Sequence, residues 1–357
     1  MTGQGEAHPR LDWRRAAVGA GLALVVGVGV VLLIGRAVGF SSLSRTLRQA
    51  DPQWLALCAA AQVIVFVGYA GVLRGATSVE GGPRIGTWLS LRVVLASFAL
   101  TQLIATAGVA GLAVIYWAMR QLRFGTREAL VRLIGLNAYV YLVFGLIGFA
   151  GALAALVTDA APLGMTLSWL IAIPVLLIAA RWFTAAPRVT GWSRDEGGWA
   201  RRGLAVGVSA AWWVRRALAT HEGRAMGPWA VLYWAADILS LWGGLRAVGV
   251  DIGLPALVLA YATGYVAGAI PLPFIATGGV DAATTFALTA TGVPLGQALL
   301  GVVAHRVFAF WLPLLPGLVL AALLPRTGAQ LHEAAATAER GSWHPSDSSG
   351  ATTGAPR

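Results

Sequence analysis

Apolar runs of membrane-spanning length govern what this chain can fold into. They occupy residues 16–34, 53–73, 88–119, 133–157, 163–180, 227–245, 254–277 and 280–324. About 20 apolar residues in a helix cross a hydrocarbon layer about 30 Å thick. Backbone polar groups must be satisfied internally there, so such runs become helices. Of 357 residues, 57% are hydrophobic and 11% charged, too few polar side chains to cover soluble domains of this size. The expected fold class is an all-α polytopic membrane protein with about eight transmembrane segments. Residues 1–15 are expected to form a cytoplasmic N-terminus and 16–324 a single membrane domain. The Ser/Thr/Ala/Gly/Pro-rich stretch 325–357 is expected to be a disordered tail.

Charge then sets orientation. The 26 basic residues are all arginine and give a formal net charge of +11. They lie mainly between apolar runs, where cytoplasmic loops gather positive charge, so they do not call for nucleic acid as a partner. Arg10, Arg14 and Arg15 before the first run mimic a signal peptide, but that run exceeds a typical signal core and is read as a retained span. The connections 120–132 and 181–226 are arginine-rich and are expected on the cytoplasmic side. Within the second, residues 199–220 read as a helix lying in the membrane interface, with Arg201, Arg202, Arg215 and Arg216 flanking an apolar middle. Arg36, Arg45 and Arg48 would face outward, against the trend. The lone cysteine, Cys58, excludes an intrachain disulfide and thiol-based metal motifs.

Two runs are too long to cross as straight helices. Residues 88–119 would extend about 48 Å at 1.5 Å per residue, and 280–324 further still. The first contains Thr106-Ala107-Gly108-Val109-Ala110-Gly111. The second is preceded by Thr277-Gly278-Gly279-Val280-Asp281 and interrupted by Gly292-Val293-Pro294. Broken helices survive in a membrane only inside protein or beside a watery cavity. Ile104-Ala105-Thr106-Ala107-Gly108-Val109 and Ile275-Ala276-Thr277-Gly278-Gly279-Val280 share at least four identities at a separation of 171 residues. Interrupted segments at matching places in two halves point to an internal repeat with a central site. With both termini cytoplasmic, 88–119 must begin and end on one side, as two tilted passes or a re-entrant hairpin.

Ionisable groups inside spans are costly and mark candidate sites. Asp237 is mid-span, Asp281 closes the second glycine break, and Arg306 lies well inside the last run. Arg92 is near enough to its span's end to snorkel. A glycine break exposes backbone N–H groups and a helix N-terminus, which suit a phosphate. Arg306 adds a bidentate donor and Asp281 an orienting carboxylate or helix cap. The candidate binding residues are therefore Arg306, Asp281, Gly278, Gly279, Thr277, Asp237 and Gly108. His305 points about 100° away from Arg306 and reads as packing. Catalytic, metal and cofactor motifs are absent, so no cofactor is expected, and transport would not draw on ATP hydrolysis in this chain.

The residues that carry these features also carry a resemblance. Ile270-Pro271-Leu272-Pro273, Gly278-Gly279-Val280-Asp281-Ala282-Ala283, Gly292-Val293-Pro294, Ala298, Arg306 and Phe310-Trp311-Leu312-Pro313 resemble the C-terminal signature of the lysylphosphatidylglycerol synthase transmembrane family, also described as flippase-like. Asp237-Ile238-Leu239-Ser240-Leu241-Trp242 and Arg246-Ala247-Val248-Gly249-Val250 resemble that family's preceding span. Asp281 stands where the family often has Glu, which keeps the charge. The family's charged first-half turn and later Arg are replaced in the regions of Ala107, Leu112 and Asn137. Only a short polar tail follows Leu324, so the resemblance implies a stand-alone membrane module without the aminoacyl-transferase domain. It further implies a translocase for a phospholipid or lipid-linked precursor in the cell membrane, with anionic or phosphate-bearing lipids as partners. The other readings are a non-transporting scaffold of envelope glycolipid synthesis and an ion-coupled carrier of small solutes.

Overall fold

The structure is a computed structural model and describes residues 50–103, 109–185, 198–268 and 279–342. The span expected at 16–34, the outward arginines after it, Gly108, Thr277, Gly278 and the tail from 343 lie outside the described residues. Within them the protein is helical, as the apolar runs require. Four helices are long and apolar enough to cross a membrane: α1 (Pro52–Ser78, continued by a short 3-10 turn), α4 (Thr126–Thr158), α5 (Leu163–Phe183) and α11 (Leu295–Ala322). Between them lie α2 (Thr87–Leu103), α3 (Val109–Gln121), α6 (Trp199–Ala219), the single turn α7 (His221–Arg224), α8 (Met226–Ala247), α9 (Leu254–Gly268) and α10 (Gly279–Ala290). The last helix, α12, covers Leu324–Ser342.

The centre of the bundle is an antiparallel pair, α1 against α8. Asp51 N donates to Ala247 O at one end, Cys58 meets Ser240 further in, and Gly75 packs on Met226 at the other end. Small residues allow this closeness. A Cβ on Gly68 would lie 2.8 Å from the backbone nitrogen of Tyr233, and Gly71 sits directly under the Trp229 ring. Lipid offers no hydrophobic drive for two apolar helices to associate, so close backbone approach and hydrogen bonds must supply the attraction. Asp51 caps the start of α1 by accepting from Gln53 N at 2.9 Å, with Pro52 in the first turn.

At the other end of α1, Arg132 is 3% exposed and donates to the carbonyls of Ala76 and Val79 at 2.9 and 3.0 Å. Glu128 holds it at 2.9 Å and the Phe124 ring lies under it. A cation on the unsatisfied carbonyls of a helix C-terminus is favourable, and here it pins the start of α4 to the end of α1. This arginine reads from sequence as one more loop charge; it is a buried fastening.

Both overlong runs break. α2 and α3 are about 25 and 20 Å long, too short to span, and they fold back on each other. Near the tip, Ser97 Oγ donates to Gly111 O at 2.9 Å and Gly111 rests on Thr101. At the foot, Arg92 of α2 donates to Gln330 of α12 while Trp117 of α3 packs on Gly328 of the same helix. The segment thus starts and ends on one side, as a hairpin. α9 and α10 form the second hairpin, with Gly264 against Thr284. The turn that follows α10 uses Gly292 at φ +96°, a conformation open to glycine, before Pro294 precedes α11. There Gly301 packs on Leu245, so α11 begins at the end where α8 finishes.

Long helix, hairpin, long helix therefore occurs twice, as α1–α4 and as α8–α11. The α2 hairpin arm packs on α11, and its counterpart α9 packs on α4. Because α1 and α8 run in opposite directions, the second set is inverted relative to the first and the hairpins enter from opposite ends. The matched hexapeptides of the sequence end in the first turn of the return helix of each hairpin, at Val109 of α3 and at Gly279-Val280 of α10. This is the inverted-repeat plan seen in secondary transporters.

α6 packs on α4 through Trp213, which fills the space over Gly135. Arg216 stacks on Trp212 and pairs with Glu80 at 2.8 Å. The disordered tail expected from 325 is corrected over 324–342. Thr327, Leu331 and Ala335 form a buried stripe at four-residue spacing, and Arg123 pairs with Glu339, so α12 is a helix folded against the feet of the first hairpin.

Gly68→Ala is expected to lower stability by about 1–3 kcal/mol, because the backbone of Tyr233 cannot yield. Gly203→Ala, on an open face of α6, should be neutral or stabilise by up to about 1 kcal/mol. Thermal unfolding midpoints in detergent check the pair, and equal shifts would contradict the packing described.

Candidate functional site

The second hairpin brings together the charges that the sequence singled out. α10 starts at Gly279, which is buried, and Asp281 is its third residue. A carboxylate in the first turn faces the positive end of the helix dipole. Thr285 Oγ1 donates to Asp281 O at 2.8 Å and steadies that turn. Arg306 is the twelfth residue of α11, about 16 Å from its start and so near mid-depth. Its Nε lies 3.2 Å from Asp281 Oδ2. The side chains are 40% and 29% exposed, so this ion pair opens onto a space that another molecule can enter.

A separate apolar groove lies on the other face of α10. Between α5 and the second hairpin is an open cavity of about 450 Å³, lined by Met165, Trp169, Thr263, Ala267, Ala283 and Phe286 among others. Ala283 is two residues from Asp281, about 200° around α10, so the groove lies on the face of that helix turned away from Arg306. Trp169 Nε1 donates to Thr263 Oγ1 at 2.9 Å, which ties α5 to the hairpin at the groove wall.

Asp237, also expected in the binding set, is not joined to Arg306. It sits on the inner face of α8, where Gln62 Nε2 donates to its Oδ1 at 2.7 Å and the Tyr261 hydroxyl donates to its Oδ2. His305 Nε2 lies 3.8 Å from Oδ1. His305 is more than the packing residue its helical position suggested. It is buried between α8 and α11, with Nδ1 3.0 Å from Ser240 Oγ. Residues 305 and 306 of α11 thus serve two neighbouring clusters, one enclosed and one open. Around the enclosed cluster, Tyr69, Phe144, Tyr233, Trp234, Tyr261 and Tyr265 pack edge to face or tilted.

Gln62, Ser240 and Tyr261 were missed from the sequence. Gln62 carried a signal: an amide inside an apolar run must find a partner in the bundle. Ser240 and Tyr261 carried none, since both residue types are ordinary in such helices. The equivalent positions of the first hairpin are neutral. At the separation of 171 residues Asp281 corresponds to Ala110 of α3, and the twelfth residue of α4, at the place Arg306 has in α11, is Asn137, which donates to Leu133 O within its own helix. Of the candidate residues, Arg306, Asp281 and Gly279 come together, Asp237 stands behind them, and Gly108, Thr277 and Gly278 are outside the described residues.

Asp237→Ala strands the Gln62 amide and the Tyr261 hydroxyl and is expected to cost about 3 kcal/mol, whereas Tyr261→Phe removes one bond and should cost about 1 kcal/mol. Unfolding midpoints in detergent decide this, and a Tyr261→Phe loss as large as that of Asp237→Ala would speak against the two-donor arrangement.

Comparison with known proteins adds one finding. The model of a family described as Lysylphosphatidylglycerol synthase TM region matches residues 20–317, which include every element from α1 to α10 and most of α11. No curated protein matches the chain.

Proposed function

Since the chain belongs to the lysylphosphatidylglycerol synthase TM family, a membrane module of lipid metabolism or transport, we propose that it is a lipid translocase. It moves a phosphate-bearing amphiphile between leaflets without hydrolysing ATP and without itself acting as an enzyme. The observation that supports this reading most is the Asp281–Arg306 pair: two charges near the middle of the long helix α11, partly exposed, at the start of the return arm of a hairpin. Charges so placed are costly in lipid unless a function or a partner retains them.

The roles follow from the chemistry of each group. Arg306 meets Asp281 through Nε, and its outer guanidinium edge suits a phosphate, which takes two parallel N–H donors. Asp281 keeps the guanidinium in place when no headgroup is bound. Gly279 brings a backbone donor to the start of α10, whose dipole favours an anion, and Thr277 and Gly278 precede it in the sequence. An acyl or prenyl chain would remain in lipid. An inverted repeat then allows the site to face either leaflet in turn.

Orientation follows from charge. Arg120, Arg123, Arg127, Arg132, Arg215, Arg216 and Arg224 all lie at the end of the bundle where α1 finishes and α4 begins, and Asp51, Asp159 and Asp251 lie at the opposite end. We assign the arginine-rich end to the cytoplasm of a cell membrane. The C-terminal helix α12, at that same end, is then cytoplasmic.

Leaflet exchange of labelled phosphatidylglycerol in ATP-free proteoliposomes tests this. The parent should exchange it faster than protein-free vesicles, and Arg306→Ala should slow exchange by about tenfold or more, the effect of losing one charge-assisted contact. Labelled glycerol phosphate, offered outside the same vesicles, distinguishes a lipid from a soluble phosphate substrate. If Arg306→Ala exchanges every lipid as fast as the parent, the assignment of this residue is wrong.

A further inference from the structure

The enclosed cluster behind the ion pair has no role in headgroup binding, and its hydrogen bonds leave one place unfilled. The Ser240 hydroxyl is directed at the Cys58 carbonyl oxygen, 3.2 Å away. With the hydroxyl hydrogen on that carbonyl, Ser240 Oγ accepts from the Cys58 thiol at 3.1 Å and from His305 Nδ1 at 3.0 Å, and the ring hydrogen is then on Nδ1. That leaves Nε2 as the lone-pair nitrogen of a neutral ring, and it faces Asp237 Oδ1 at 3.8 Å. Both oxygens of Asp237 already accept, one from Gln62 and one from Tyr261, the pattern of an ionised carboxylate. A proton on Nε2 would set an imidazolium against that carboxylate as an ion pair.

The surrounding charges agree. The groups facing the pair are Gln62 and Cys58 from α1, Tyr233 from α8, Tyr261 and Tyr265 from α9, Asp281 from α10 and Arg306 from α11 itself. On α2, which also packs on α11, the single charged residue is Arg92, held far off by Gln330. Two carboxylates against one guanidinium leave the assembly one positive charge short of neutral. A phosphate arriving at Arg306 deepens the deficit by at least one more negative charge, in surroundings where unbalanced charge is costly.

The geometry points to His305 and Asp237 as a proton site linked to the anionic headgroup, so that a proton travels with the lipid. This inference rests on the translocase reading above. A proton from water on one side forms an N–H bond at His305 Nε2, opposite Asp237. The same bond breaks to return the proton to water on the other side once the headgroup has left, and no electrons change hands. By linkage, the bound proton tightens the headgroup by the same factor as the headgroup tightens the proton.

The full chain is tested in phosphatidylcholine vesicles carrying labelled phosphatidylglycerol and an enclosed pH indicator. In the parent, an imposed proton gradient should accelerate exchange at least about fivefold, the lower range of ordinary coupling between two sites, and protons should enter as lipid moves. The quantity read is the ratio of rates with and without the gradient, so a slower variant remains informative. His305→Gln should bring the ratio close to one. Ser240→Ala, which keeps the ring but frees its orientation, should reduce it and guards against a folding defect in the first variant. A parent that exchanges lipid at a rate indifferent to the gradient overturns the coupling and leaves the translocase reading in place. So does a parental ratio retained in both variants. A parent that exchanges no lipid with or without the gradient overturns both.

Discussion

Close approach between α1 and α8 is the contact on which the remainder of the protein rests. Two apolar helices in lipid gain nothing by leaving lipid tails for each other, so their association needs backbone proximity and polar bonds. Gly68, Gly71 and Gly75 provide the first, and Gln62–Asp237 and Cys58–Ser240 the second. Because the pair is antiparallel, each helix brings its own hairpin and long partner helix to the opposite end. The inverted architecture is thus a consequence of how one pair of helices meets.

The same contact explains where the polar groups are. Asp237 can be carried inside the membrane because its partners come from α1 and α9, both fixed by the frame. Arg306 is carried differently: it is paired with the first turn of the second hairpin and left half open. An enclosed, hydrogen-bonded cluster thus lies back to back with an open one across a single turn of α11. Chemistry at the open pair can reach the enclosed one without any long pathway, since residues 305 and 306 are neighbours on the chain.

How much of this the sequence disclosed follows from the kind of interaction involved. Apolar run lengths disclosed the helices, and length arithmetic disclosed that 88–119 and 280–324 must break. Asp281 and Arg306 stood out because charge in lipid is expensive wherever it occurs. The Gln62–Asp237–Tyr261 bonds were hidden because they join residues 175 and 24 positions apart through a crossing no local pattern encodes. Arg132 was indistinguishable from its loop neighbours, since a charge at the end of an apolar run looks alike whether it snorkels or caps a helix. The tail misled by composition: Ala, Thr and Gly dominate it, yet the stripe Thr327–Leu331–Ala335 suffices once α2 and α3 offer a surface.

α12 has one further effect. It lies across both feet of the first hairpin, holding α2 through Arg92–Gln330 and α3 through Trp117 on Gly328, with Arg123–Glu339 beside them. Among the described residues no helix straps the second hairpin in this way, and its return arm α10 packs mainly on α9 and α11. The two hairpins are therefore held differently, the first strapped across its feet by a helix from outside the repeat and the second braced by α4 and α5, and the charged pair lies on the unstrapped one.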